Sequence, residues 1–296
     1  MQAALLPDRG VIKVAGDDAR GFLNGLLTAD ITKIAPGAPR FAALLTPQGK
    51  IIADCIVAEA PALDGGGFFL DCPRALAKIL SDKLNFYKLR AKVIVEDLSA
   101  TLGVLAVWGN GAPDSEYGLS YRDPRLPALG NRVMLPPHLA DRASAELGAS
   151  LTDAATYEAH RIALGVPRGG LDFSYGDAFP HETDMDQLGG VDFAKGCYVG
   201  QEVVSRMEHR GTARTRILPV SYQGIAPEAG MPVMAGDKRA GTLGSTAGGT
   251  GLAMLRLDRA GDASSAGIPL TAGGTVLHVH KPDWARFPVP GAAQPA

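Results

Sequence analysis

Beyond Arg214 the apolar residues come in short runs, at 217–222, 231–233, 240–243, 251–257 and 275–279, each cut off by Gly or Pro. Runs this short cannot bury one face of a helix, but as strands they close off at turns. They predict a small all-β module, and a barrel is the form that leaves no open edge. The chain has 37 Gly and 21 Pro in 296 residues. Turns are therefore frequent, while the lack of a glycine at every third position excludes a collagen helix. At about 150 residues per domain the length suggests two domains. With 46% hydrophobic and 20% charged residues, a sizeable core is possible and wholesale disorder is not expected.

The N-terminal part reads as mixed structure. A strand at 11–14 follows the turn Asp8-Arg9-Gly10, and Asp17 and Asp18 stand where they can cap a helix with Phe22, Leu23, Leu26 and Leu27 on one face. Residues 41–45 and 51–57 flank Thr46-Pro47-Gln48-Gly49, a hairpin signal. A strand at 68–70, a helix at 74–84 carrying Leu76, Ile79, Leu80 and Leu84, and strands at 91–95 and 101–108 follow. This order suggests an α+β sheet rather than a doubly wound one. Residues 110–137, rich in Gly, Pro and Asp, read as a meander or subdomain boundary. Asp153 can cap a helix over 154–164, ended by Gly165 and Pro167. Residues 168–194 show little periodicity, and a loop that long in a compact domain is often functional. The tail 288–296 is expected to be disordered.

Lys and Arg total 29 against 31 Asp and Glu, a formal charge of −2. That argues against a protein that coats nucleic acid by bulk charge and leaves open only a local basic cleft. No apolar run reaches the roughly 18 residues of a membrane span, and the first residues lack the pattern of a secretory signal. Cys55, Cys72 and Cys197 are odd in number, widely spaced and form no CxxC. Neither a disulfide framework nor a zinc site built from them is expected, which predicts a cytoplasmic protein with reduced thiols. The six histidines show no HExxH spacing.

Informative residues concentrate at 188–206. Gly196 and Gly200 let the backbone turn sharply or approach a neighbour. Cys197 follows the cation Lys195 and precedes a helix start at Gln201, features that favour thiolate over thiol. A thiolate attacks electrophiles, ligates iron and is oxidised first; a buried Cys would instead act as a small hydrophobe. Lys195 either contacts an anionic group or is solvated. Arg206 and Arg210 share a helical face if the helix continues, and can bind a carboxylate or phosphate or pair with Glu202 or Glu208.

The string Lys195-Gly196-Cys197-Tyr198-Val199-Gly200-Gln201-Glu202, with Arg206 and Arg210-Gly211 downstream, resembles the signature of the YgfZ family. These are folate-binding proteins linked to iron–sulfur cluster assembly or repair, within the wider superfamily of the glycine-cleavage T-protein, an aminomethyltransferase. The segments 179–182, 188–193, 22–31 and 46–54 also resemble the family, so the likeness covers most of the chain. It implies an α+β fold: a ring of three subdomains around a central, folate-sized cavity. Two interleaved and partly ferredoxin-like α+β subdomains would occupy 1–212, and a small β-barrel 213–287.

The resemblance further implies a tetrahydrofolate-binding accessory protein for iron–sulfur cluster assembly or repair, with folate and iron–sulfur client or assembly proteins as partners. Cys197 would be its reactive thiol. Lys195, Gly196, Tyr198, Gly200, Gln201, Glu202 and Arg206 would lie at the cofactor, with Tyr198 stacked on the pterin or packed in the core. Asp54 aligns with the carboxylate that acts near the folate N5 in T-protein relatives, against the plainer role of a hydrogen bond at a strand end. The alternative is tetrahydrofolate-dependent aminomethyl transfer. Ala163 counts against it, since it aligns with the glutamate that holds the pterin and a methyl group accepts no hydrogen bond. One thiolate does not hold a cluster alone, so no stably bound metal is expected. Transient thiol chemistry, or iron shared with a client, is expected instead.

Overall fold

The computed structural model describes residues 1–109, 114–211 and 213–291. Its chain divides into two compact units, Met1–Tyr157 with Leu188–Gln201, and Glu158–Gln187 with Glu202–Ala296.

The first unit opens with β1 (Gln2–Leu6), β2 (Arg9–Ala15), α1 (Ala19–Leu26), β3 (Arg40–Leu45) and β4 (Ile51–Glu59). It continues through β5 (Phe68–Pro73), α2 (Arg74–Tyr87), β6 (Ile94–Asp97), β7 (Gly103–Trp108), β8 (Leu119–Arg122), β9 (Asn131–Leu135), α3 (Ala140–Glu146) and β10 (Ser150–Thr152). These strands make two five-stranded sheets, ordered β3-β4-β5-β2-β6 and β10-β1-β7-β9-β8. In the first sheet period-two alternation sorts the side chains. Ala53, Cys55 and Val57 of β4, and Leu70 and Cys72 of β5, join Leu23 of α1, Leu27 just past it, and Leu80 and Leu84 of α2 in one apolar core. Asp54 and Asp71 consequently point to the opposite face.

The hairpin forms where the sequence predicts it. Thr46 N–H donates to the Lys50 carbonyl at 2.8 Å, and Gly49 turns at φ +81°. The cap differs from expectation. Asp18 precedes α1, but its carboxylate accepts the Lys92 N–H at 2.7 Å and makes no cap hydrogen bond. Asp153 does cap the following helix α4 (Ala154–Ala163), accepting the Thr156 N–H at 2.8 Å. Several elements of this unit escaped the sequence reading: β1, β8, β9, α3 and β10. β1 lies between β7 and β10 with most of its side chains buried, so it shows no alternation. β8 and β9 lie within the stretch read as a meander, of which 110–113 fall outside the described residues.

In the second unit α5 (Gln201–Arg210) leads to β11 (Thr215–Ser221), β12 (Pro232–Ala235), β13 (Lys238–Ala247), β14 (Thr250–Arg256), α6 (Leu257–Ser265), β15 (Leu270–Ala272) and β16 (Thr275–Val279). These strands close into a six-stranded barrel, β11-β14-β13-β12-β15-β16. The fold is therefore α+β with a C-terminal closed barrel, as expected. Of the predicted tail, 292–296 lie outside the described residues, while Val289 packs against the barrel core. Among the described residues no helix is long and apolar enough to cross a membrane.

Candidate functional site

The segment carrying the cysteine motif is laced to the N-terminal part of the first unit. Thr28, fully buried, donates its hydroxyl to the Gly190 carbonyl at 2.5 Å and accepts the Ala43 N–H at 2.8 Å. Lys33 pairs with Asp192 at 2.6 Å. Lys195 reaches back to the C-terminal end of α1, and its ammonium donates to the Asn24, Leu27 and Ala29 carbonyls at 2.6, 2.6 and 2.9 Å. Helix ends leave such carbonyls without intrahelical partners, and a cation there is doubly favoured. Burial lowers the Lys195 pKa to about 8, opposed by Asp30 and Asp192. At pH 7 the amine is thus mostly protonated, and its three N–H groups match three acceptors. The ammonium also stands 5.0 Å from the ring centre of buried Tyr198.

The other end of the motif is fixed by shape. Gly200 has φ +83°, and a Cβ there would stand 2.5 Å from the Thr46 carbonyl oxygen and 3.2 Å from the Gly49 Cα. Only a glycine lets the loop rest on the hairpin turn. Between these anchors Gly196 and Cys197 are exposed. The loop is a pedestal: both ends are held and the thiol faces solvent four residues before α5 begins. The other two cysteines are buried. Burial pushes the Cys72 thiol up to about 12 and the Cys55 thiol well above its ordinary range, which leaves both inert.

Gln201 opens α5, and Glu202 pairs with Arg206 at 2.6 Å on its exposed surface, the ion-pair role weighed above. Lys195 is buried rather than solvated, and its ammonium holds backbone carbonyls. Asp54 is 7% exposed and sits in the body of β4, not at its end, on the sheet face that also carries Arg9 and Asp71. It lies near enough to Arg9 to help stabilise the guanidinium. A hollow of about 540 Å³ lies against the segment that leads into the motif, lined among others by Lys33, Arg40, Phe41, Asp192 and Phe193. Neither Asp54 nor Cys197 lines it.

Sequence reasoning missed the anchors Thr28 and Asp192, because their partners are more than a hundred residues away and no local pattern marks them. It also missed a grouping in the second unit. His181, Asp186 and Glu208 bring ligand atoms within 4.8 Å of one another. Arg216 already donates to both Asp186 oxygens, at 2.6 and 3.0 Å, and so supplies the positive charge at that spot.

Residues 8–119 match the GCVT N-terminal domain family, and residues 214–287 match the CAF17 C-terminal β-barrel domain family. The class is thereby set: a GCVT-type α+β region carrying a CAF17-type barrel. The crystal structure of glycine cleavage system aminomethyltransferase T from Bartonella henselae has the same fold, with a TM-score of 0.72 at 16% identity, over 99% of this chain and 88% of that one. The chain is 36% identical over 231 residues to the iron–sulfur cluster assembly factor IBA57 homolog, mitochondrial, of Mycosarcoma maydis, covering 74% of this chain and 57% of that protein's length. It is 33% identical over 280 residues to the iron–sulfur cluster assembly factor IBA57, mitochondrial, of Mus musculus, covering 85% of this chain and 76% of that protein. The chain belongs to the CAF17/IBA57 family, within the GCVT aminomethyltransferase superfamily. These relatives are named mitochondrial, which overturns the expectation of a cytoplasmic protein. Unpaired cysteines report a reducing compartment and do not say which one.

Proposed function

We propose that this chain acts as an accessory factor in iron–sulfur cluster assembly, with Cys197 as the sulfur it offers to iron. The observation that carries the reading is the exposure of this one thiol, on a loop held at Lys195 and Gly200, while Cys55 and Cys72 are sealed in the core. On binding iron the Cys197 S–H loses its proton to solvent and an S–Fe bond forms. A cluster normally takes four protein ligands, so a client or assembly protein would supply the others. The finer YgfZ-type reading adds tetrahydrofolate as a ligand. Asp54 supplies one buried carboxylate for a pterin edge, whereas Ala163, at the end of α4, supplies no acceptor. The residues present therefore suit binding better than aminomethyl transfer, and no transfer step follows from them.

Complementation of a strain lacking the endogenous factor tests the proposal, read as activity of its iron–sulfur enzymes. Cys197→Ser should lose essentially all rescue at an unchanged melting temperature, and Cys55→Ala should retain it. Full rescue by Cys197→Ser would sink the thiol role. Calorimetry with tetrahydrofolate tests the ligand separately: saturable heat is expected from the wild type and weaker binding from Asp54→Asn.

A further inference from the structure

The second unit gathers a histidine and two carboxylates at one spot. His181 and Asp186 lie on a turn closed by Met185 N–H, which donates to the Pro180 carbonyl at 2.9 Å, and Glu208 stands on the last turn of α5. Their ligand atoms lie within 4.8 Å of one another, and His181 Nε2 is already 3.0 Å from Glu208 Oε2. Around a zinc-sized cation with bonds of about 2.1 Å, tetrahedral ligand atoms stand about 3.4 Å apart, so the group needs only a small closure. Glu208 can supply it, because its side chain is 45% exposed and leaves from a helix end. The ring of His181 and the carboxylate of Asp186 are buried and so fixed by packing.

The charge at this spot is only partly balanced. Arg216 is divided between Asp186, the fully buried Asp184 at 3.3 Å and the His181 carbonyl at 2.6 Å. Among the described residues Glu208 pairs with His181 alone. One guanidinium thus stands against three carboxylates, two of them buried, and buried charge demands compensation. Arg216 is itself buried, and its Nε–H meets no acceptor among the described residues, so the polar groups gathered here are not all satisfied by one another. Asp186 keeps capacity for a further bond. Of the roughly four lone-pair positions of a carboxylate, Arg216 takes two and Gln187 Nε2 one, at 2.6 Å. We infer that His181, Asp186 and Glu208 bind a divalent transition-metal cation of the zinc and ferrous-iron class. Arg216 holds Asp186 from behind, and water completes the shell on the open side at Glu208. The donor set decides the class: an imidazole nitrogen disfavours Mg²⁺ and Ca²⁺, which take oxygen, and the lack of a thiolate or thioether disfavours Cu⁺. The site stands apart from the proposed role of Cys197 and from folate, so either can fail without the other.

The test uses the full chain carrying Cys197→Ser, so that the exposed thiol takes no metal, with Zn²⁺ and Co²⁺ as probes. Saturable binding of a single Zn²⁺ is expected by calorimetry, and Co²⁺ should give a visible absorption band that Zn²⁺ abolishes. Adding Glu208→Gln should leave the melting temperature of the metal-free chain unchanged, since the amide oxygen still accepts from His181 and the side chain is half in solvent. It should weaken Zn²⁺ binding at least about tenfold, as should His181→Gln. Saturating Zn²⁺ should raise the melting temperature of the parent and not that of the Glu208→Gln variant. No saturable binding, or binding that both variants leave unchanged, would overturn the assignment. So would displacement of Zn²⁺ by a modest excess of Mg²⁺, or metal held by the unaltered chain and lost with Cys197→Ser.

Discussion

Asp71→Asn should cost about 3–5 kcal/mol of unfolding free energy, the penalty for stranding buried charge. Asp71 is fully buried and joins the two sheets of the first unit. On its own sheet it accepts Arg9 Nε at 2.6 Å; from the other it accepts Arg132 at 2.5 Å and the Tyr121 hydroxyl at 3.0 Å. Arg132 in turn donates to Asp123, which is also held by Arg125 at 2.7 Å. Burial disfavours both carboxylates, yet Arg9 and Arg132 outweigh it at Asp71, and Arg125 and Arg132 at Asp123, so both are held below the ordinary carboxylate range. An amide at 71 leaves two buried guanidinium groups facing a neutral partner. Urea melts should show the midpoint falling steeply for Asp71→Asn, while Asp82→Asn, in an exposed helical pair, stays within scatter. The pH dependence has a definite sign. Because folding lowers these pKa values, the stability they confer is complete above the unfolded carboxylate value near pH 4 and is lost as pH falls through the folded values. Asp71→Asn should therefore flatten the acid limb of the stability curve. A loss under about 1 kcal/mol would mean that the pair is not the buried charge pair described.

Gly200→Ala and Lys195→Met should each destabilise the first unit by about 2–4 kcal/mol, for different reasons. At Gly200 the added methyl meets a backbone carbonyl, which cannot swing away as a flexible side chain would, and φ +83° is strained for alanine. At Lys195 methionine keeps the apolar stem but strips three carbonyls of their donor. Both changes free the loop between the anchors, so both should impair rescue of iron–sulfur enzymes with Cys197 still in place. Hydrogen exchange of the amides at 196–199 should quicken in each variant. Unaltered exchange together with unaltered rescue would show that the thiol needs no pedestal.

The elements legible in the sequence were those whose cause is local. The hairpin at Thr46–Gly49 announces itself because the strands on either side are continuous and the turn residues stand between them. Five of the six barrel strands could be read because Gly and Pro punctuate the apolar runs; the three-residue β15 and the helix α6 that follows β14 without a break could not. The cap at Asp18 was misjudged because a carboxylate goes to its best donor, here the Lys92 N–H from a segment 74 residues away. β1 was missed because a strand central in its sheet loses the alternation that marks a strand at the surface. Cys197 could be singled out from its neighbours alone, but the roles of those neighbours could not. Lys195 beside a cysteine reads as electrostatic activation, whereas the folded chain turns its ammonium into the end of α1.

From the sequence alone came the α+β class, the terminal barrel, the choice of Cys197 among three thiols and the kinship that points to iron–sulfur assembly. Those properties follow from periodicity, punctuation and a contiguous motif, all carried by residues near one another in the chain. Tertiary structure alone decided which cysteines are sealed, which carboxylates are held by buried guanidinium groups, what Lys195 and Gly200 are for, and that His181, Asp186 and Glu208 converge. Each of these depends on burial and on partners brought from distant parts of the chain. Solvation and pairing energies depend on distance in space, which the order of residues does not specify.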